Sequence, residues 1–284
     1  MSHPRRTWLF VPGADEKAQA AAARSGADVL IQELEDFTPP ALRPQARALA
    51  AGLYQRWRAA GALAAVRVNP LETCGREDLE AILGAQPDIV LMSKVARPEQ
   101  VLALAAIAHG VELVPNIETA AGLVRAGEIA RASPRVSAML LASEDMVADL
   151  GAERSREGEE LAYVRSRFLL ECRAAGVEAI DCPYTFGDAK GAAADARRAK
   201  RLGYRMKSIA HPVHAAPVNR VFSIEARELN RARRIVRAFD EARAKGSERA
   251  RVDGRLVEVP VYAAARRLIE SAARTPPPTR RKRG

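Results

Sequence analysis

Short apolar runs alternate with helix-like stretches from residue 7 to about residue 210. The runs are Thr7–Val11, Asp28–Leu34, Leu63–Val66, Ile89–Met92, Val111–Ile117, Ser137–Ser143, Val177–Ile180 and Tyr204–Ile209. Each is short, nearly continuous and bounded by polar or turn residues, as expected of strands buried in a parallel sheet. Helices are predicted around Ala18, Ala21 and Ala22, from Pro39-Pro40 to Ala59, over Glu77–Leu83, from Pro98, and from Thr119. In Glu157–Ala175, Leu161, Val164, Phe168 and Cys172 fall at helical spacing and Gly176 closes the segment. A further helix lies between Asp188 and Leu202.

Eight strand–helix units within about 220 residues fit a closed barrel of typical size. The predicted fold class is therefore α/β, a TIM (β/α)8 barrel over residues 5–223. A doubly wound open sheet is the alternative, but it concentrates functional residues at one switch point. Here polar residues recur at most strand ends. Beyond Ile224 come a long amphipathic helix to about Ala244, a polar linker (Lys245–Glu248), the segment Val252–Glu258, and a last helix near Val261–Ala273. Residues 224–273 are thus predicted as a C-terminal helical extension that packs on the barrel or on a neighbouring subunit. Residues 274–284, with Pro276-Pro277-Pro278 and Arg280-Arg281-Lys282-Arg283, are predicted to be a basic disordered tail.

Composition narrows the class. Hydrophobic residues make up 48% of the 284 positions, enough for a large core. No apolar run is long enough to span a membrane. The run after Arg5-Arg6 stops at Pro12-Gly13, too early for a signal peptide, so a cytoplasmic location is expected. Cys74, Cys172 and Cys182 show no C-x-x-C spacing, which argues against a disulfide framework and a structural zinc site. The formal charge of +10 raises nucleic acid as a partner, but aromatics are only 5% and do not interleave with the basic residues. A solvated basic surface is the simpler reading, and it would also attract an anionic substrate.

In such barrels catalytic groups gather at the carboxyl ends of the strands. Collected there are Glu35, Asp36, Arg67, Lys94, Glu118, Glu144, Asp145, Asp181 and His211. Two strands joined by a helix are normally parallel neighbours, so Glu118 and Asp145 can face one cation. Carboxylates without a nearby Cys or His cluster suit a hard ion such as Mg2+, whose octahedron substrate oxygens can complete. A 2-keto acid would chelate it, and Arg67 would grip the substrate carboxylate through two parallel hydrogen bonds. Plainer roles compete. Glu118 can cap the helix that begins at Thr119. Asp36 can pair with Arg67. Lys94 can be a Schiff-base nucleophile, or, as preferred here, can neutralise neighbouring acids. His211 can be a base, or fix a turn with Pro212, or line the pocket. Cys182 is read as packing.

Taken together, Arg6-x-Trp8-Leu9-Phe10-Val11-Pro12-Gly13, Leu34-Glu35-Asp36, Val66-Arg67-Val68-Asn69, Ser93-Lys94-Val95, Ile117-Glu118-Thr119-Ala120-Ala121-Gly122, Ser143-Glu144-Asp145 and His211-Pro212 resemble, in order, the citrate lyase beta-subunit family. The chain is similar to the wider citrate lyase/malyl-CoA lyase group of the HpcH/HpaI aldolase superfamily over roughly residues 5 to 270. The resemblance implies a TIM barrel that forms a homo-oligomer, a trimer or hexamer. It implies magnesium on Glu118 and Asp145, and substrate contacts from Arg67 and Glu118, with Lys94 and His211 also at the substrate. The implied reaction is reversible cleavage of a 3-hydroxyacyl-CoA (malyl-, citramalyl- or citryl-type) to acetyl-CoA and a keto acid, with Arg67, Glu35, Asp36 and Glu258 as catalytic candidates. Glu258 stands where an aspartate is usual, in the segment that in malyl-CoA lyase-like relatives covers a neighbouring subunit's barrel. Glu33 also stands where an aspartate is common. The Ala-rich first helix has only Lys17 and Arg24 as basic residues, so CoA is held differently or a smaller substrate is used. Two alternatives stay open: a metal-dependent aldolase on a free hydroxy-keto acid without CoA, and a barrel with weakened chemistry serving as a binding protein.

Overall fold

Eight parallel strands close into a barrel in the computed structural model, which describes residues 4–274. They are β1 (Thr7–Pro12), β2 (Val29–Glu33), β3 (Leu63–Val68), β4 (Ile89–Met92), β5 (Glu112–Ile117), β6 (Ala138–Leu141), β7 (Glu178–Asp181) and β8 (Met206–Ile209). Each strand pairs with the next, and Trp8 against Ser208 joins β1 to β8, so no open edge remains. The barrel is thus the (β/α)8 type predicted, and the open-sheet alternative is excluded.

Around it run α1 (Glu16–Arg24), α2 (Arg43–Ala59), α3 (Gly75–Ile82), α4 (Pro98–Ile107), α5 (Ala120–Val124), α6 (Ala126–Arg131), α7 (Glu144–Leu150), α8 (Ala162–Ala175), α9 (Ala189–Leu202) and α10 (Ala215–Phe222). Their starts are capped locally. Asp15 Oδ1 accepts from the Lys17 and Ala18 amides, and Asp188 Oδ1 accepts from the Gly191 amide. Gly176 ends α8 in the left-handed conformation that a side chain disfavours.

Strand alternation makes two apolar layers. Trp8, Phe10, Val29, Ile31, Ala65, Ile89, Leu91, Val114, Ala138, Leu140, Ile180 and Met206 form one buried cluster, the barrel interior. Their sequence neighbours Leu9, Leu30, Ala64, Val90, Leu113, Met139 and Ala179 belong to the larger cluster shared with the helices. This parity decides where each strand-end side chain goes.

Several elements differ from expectation. Glu144 and Asp145, read as a strand end with its loop, form the first turn of α7, where their charge favours the helix N-terminus. The helix after Thr119 breaks at Arg125 into α5 and α6. α10 was not predicted; Pro212 and Pro217 obscured the spacing of buried Ala215, Val218 and Phe222, although a proline in the first helical turn is tolerated. β8 begins at Met206, and Tyr204 instead packs outward, its hydroxyl donating to the Arg165 carbonyl at 2.7 Å.

The chain divides after Phe222 into a second compact unit. There α11 (Ala226–Arg243), β9 (Ala250–Val252), β10 (Arg255–Val257) and α12 (Val259–Arg274) share a core of Ala232, Ile235, Phe239, Val252, Val257 and Ala265. The segment Val252–Glu258 carries the turn and second strand of an antiparallel hairpin, which turns at Asp253-Gly254, both with positive φ, as tight hairpin turns require. Phe239 and Tyr262 stack at 4.6 Å. Arg274 ends α12; the rest of the tail read as disordered lies outside the described residues. Among the described residues no helix is long and apolar enough to cross a membrane.

Candidate functional site

On β2 the inward positions are Val29, Ile31 and then Glu33, which reaches the carboxyl rim fully buried. On β3 the same parity brings Arg67 inward after Ala65, and on β5 it brings Asn116 and Glu118 after Val114. Arg67 is 5% exposed and lies over the Phe10 ring, 4.8 Å from its centroid. Its Nε donates to Glu33 Oε1 at 2.8 Å. Nη2 stands 3.2 Å from Glu35 Oε2 and 3.6 Å from Asp36 Oδ2, and Nη1 stands 3.5 Å from Glu118 Oε1.

Lys94 closes the other side. Its ammonium pairs with Glu35 and lies 3.7 Å from Asp36. Lys94 has φ +54, a left-handed backbone that a residue with a side chain rarely adopts and that is often kept at working sites. The pairing with Glu35 raises the Lys94 pKa, which keeps it charged. Burial pushes the Glu35 carboxyl upward against the pull of Arg67 and Lys94.

Glu118 is 0% exposed, and its Oε2 has no hydrogen-bond partner. Burial drives its pKa up to about 8; Arg67 opposes this, while the charges of Asp145 and Glu35 reinforce it. Glu118 does not cap the next helix, because Thr119 does so, accepting from the Gly122 amide at 3.1 Å. Gly122 is required here: a β-carbon would come within 2.6 Å of the Val95 carbonyl. Half-buried Asp145 opens α7, and Asp149 of the same helix accepts from the Ala120 amide at 2.7 Å. That bond ties the segment after Glu118 to the helix carrying Asp145.

The cluster therefore sets five acids, Glu33, Glu35, Asp36, Glu118 and Asp145, against two cations, Arg67 and Lys94. Negative charge is in excess around an orphaned buried carboxylate oxygen. A hard divalent cation is the group this donor set fits, with Glu118 and Asp145 the residues able to hold it. Among the described residues no group of three or more His, Cys, Asp or Glu is arranged to hold a metal ion by protein ligands alone.

Other candidates lie elsewhere. Asp181, collected with the strand-end acids, points outward. It pairs with Arg165 of α8 at 2.7 Å and with Lys207 of β8 at 2.6 Å, while Asp195 of α9 takes the same two cations at 2.9 and 2.5 Å. This network staples helices to strands and is not at the barrel mouth. Glu144 is exposed and tied to Arg154 and Thr185. His211 sits with the β7–α9 loop, Nε2 3.3 Å from the Thr185 carbonyl and its ring edge-on to His214 at 5.1 Å. Glu258 belongs to the second unit, where it is exposed and 3.3 Å from Arg249 Nε. Buried Cys182 packs in the outer apolar layer. Sequence reasoning missed Glu33 as the partner of Arg67. Its signal was present, since Glu33 shares the parity of Val29 and Ile31, whereas Glu35 and Asp36 follow the strand.

Comparison with known proteins identifies the family. Residues 6–212 match the HpcH/HpaI aldolase/citrate lyase family. A (3S)-malyl-CoA thioesterase of Cereibacter sphaeroides is 33% identical over 273 residues, covering 95% of each chain. The citrate lyase subunit beta of Escherichia coli is 31% identical over 281 residues, covering 94% of this chain and 93% of that protein. The solved structure of CitE from Mycobacterium tuberculosis in complex with magnesium, acetoacetate and coenzyme A superposes with a TM-score of 0.78 at 29% identity, over 96% of this chain and 98% of that one. With an unbroken match across the barrel, and with Arg67, Glu118 and Asp145 gathered at its carboxyl rim, this chain belongs to the HpcH/HpaI aldolase/citrate lyase family.

Proposed function

We propose that the protein is a magnesium-dependent carbon–carbon lyase that cleaves a 3-hydroxyacyl-CoA of the malyl, citramalyl or citryl type to acetyl-CoA and a keto acid. The observation that carries this reading is buried Glu118, with one oxygen facing Arg67 and the other without a donor. Magnesium on Glu118 and Asp145 would supply a Lewis acid for the keto acid oxygen. Arg67 binds the substrate carboxylate, and Lys94 offsets part of the acid charge at the same mouth.

In retro-Claisen cleavage the hydroxyl proton leaves and the carbinol carbon becomes the keto acid carbonyl. The bond to the thioester α-carbon breaks, and its electron pair forms an enolate that is then protonated. Glu35 and Asp36, paired with Arg67 and Lys94, would take the hydroxyl proton. Glu258, at the position of the acid that malyl-CoA lyase-like relatives bring from a neighbouring subunit, would protonate the acetyl carbon in a homo-oligomer. Thioester hydrolysis is the second reading, supported by the malyl-CoA thioesterase relative.

The test is a panel of CoA thioesters in which acetyl-CoA, keto acid and free CoA are each measured. Acetyl-CoA and keto acid in equal amounts, abolished by EDTA and by Asp145→Ala, support cleavage. Free CoA without acetyl-CoA supports hydrolysis instead. Magnesium-dependent enolisation of pyruvate with no thioester turned over would point to an aldolase that ignores CoA.

A further inference from the structure

Among the contacts of Arg67, the one to Glu33 is the shortest, and it uses Nε. Glu33 Oε1 also accepts from the Glu35 amide at 2.7 Å, and Oε2 accepts from the Phe37 amide at 2.5 Å. The Glu33 backbone is fixed as well: its carbonyl accepts from the Thr38 hydroxyl, which in turn accepts from the Gly13 amide at 2.8 Å. Gly13 must be glycine, because a β-carbon would lie 2.6 Å from that carbonyl. Every donor on the Glu33 carboxylate thus comes from Arg67 or from the loop that carries Glu35 and Asp36. A guanidinium can take a carboxylate along its Nε–Nη2 side or across its Nη1–Nη2 end. Nε is already committed to a fully buried acid, and the Nη1–Nη2 end has only longer contacts, to Glu35 at 3.2 Å, Glu118 at 3.5 Å and Asp36 at 3.6 Å.

We propose that Glu33 is a positioning residue, which turns the Nη1–Nη2 end of Arg67 toward the substrate carboxylate and locks the Glu35–Asp36 loop beside it. This rests on the lyase reading above, in that it needs a carboxylate-bearing substrate at Arg67. Glu33 touches no substrate and holds no metal. Glu33→Gln keeps the shape but turns one acceptor oxygen into a donor, facing either Phe37 N–H or Arg67 and Glu35. Glu33→Asp keeps the charge and withdraws it by one methylene, roughly a bond length that matters for positioned groups.

The experiment titrates magnesium, and then pyruvate with magnesium present, into wild type, both Glu33 variants, Arg67→Lys, and Arg67→Lys combined with Glu33→Gln. Magnesium affinity should stay within about twofold in the Glu33 variants, since Glu33 does not contact Glu118 or Asp145. Pyruvate affinity should fall by about tenfold or more, the scale of one lost charged hydrogen bond. In the Arg67→Lys background, Glu33→Gln should add almost nothing, because both act through one contact; a merely structural role would add its full loss. If the variants do not fold, wild type decides. The Arg67 Nε–H signal in 15N spectra, assigned through bonds along the wild-type side chain, should remain exchange-protected when pyruvate binds. Unchanged pyruvate affinity, additive losses, or deprotection of that signal overturns the assignment. Wild type that binds magnesium but none of pyruvate, glyoxylate and oxaloacetate overturns the lyase reading, and this inference with it; where one of the other two binds instead, the same titrations are made with that keto acid.

Discussion

Arg67 Nη1 stands 3.5 Å from Glu118 Oε1, with the two side chains 6% and 0% exposed. A buried ion pair of this kind is weak evidence for stability, because desolvation offsets much of the attraction. Its meaning lies in what it leaves over: one guanidinium among four acids cannot satisfy them all, and Glu118 keeps an oxygen without a donor.

Arg67→Ala should therefore damage the fold as well as the chemistry. Glu33 and Glu118 would be left as buried acids without their cation. The expected loss is about 3–5 kcal/mol of unfolding free energy, as for other broken buried pairs. Urea denaturation checks it, and kcat/KM in whatever remains folded should fall by about 100-fold or more, the scale of a lost substrate-positioning contact.

Metal-free protein should lose stability as pH rises. The Glu118 pKa is raised in the folded chain from an ordinary 4.5 to about 8. Its contribution is fully present below 4.5 and is lost as pH climbs through 8. In EDTA, wild-type Tm should thus decline across that interval relative to Glu118→Gln, whose neutral amide has no such titration. Magnesium should restore the wild type at the upper end. Parallel Tm–pH curves for the two proteins in EDTA would contradict the assignment.

Asp145→Asn should separate metal binding from folding. Asp145 is half-buried in the first turn of a helix, so the folded state should tolerate the amide with a change near 0.5 kcal/mol. Magnesium affinity by calorimetry should weaken by at least about tenfold, the lower bound seen even for residues that only support a metal ligand.

Lys207→Met should do the opposite. Lys207 is wholly buried between Asp181 and Asp195, so its loss leaves two acids on Arg165 alone. Stability should drop by roughly 3 kcal/mol or more. Magnesium affinity per folded molecule should be unchanged. A selective loss of metal binding would return Asp181 to the site.

The order of elements was legible because each apolar run is short, nearly continuous and followed by a helix-spaced stretch. That pattern has few solutions other than a closed parallel barrel. The motif residues also marked the rim: Glu35, Asp36, Arg67, Lys94 and Glu118 all meet there. α7 and α10 were not seen, because a one- or two-turn helix carries too little periodicity to stand out beside acids or prolines.

What the sequence determined by itself is which residues end the strands, since hydrophobic patterning is a local property. Tertiary structure decided which of the two parities on each strand faces the barrel interior, and which side chains meet there. Closure of the barrel set the parity of every strand, sending Glu33, Arg67 and Glu118 inward and Asp181 and Lys207 out to the helices. The same closure buried Glu118 beside Arg67 and Asp145, and only that burial makes an ordinary glutamate resist ionisation.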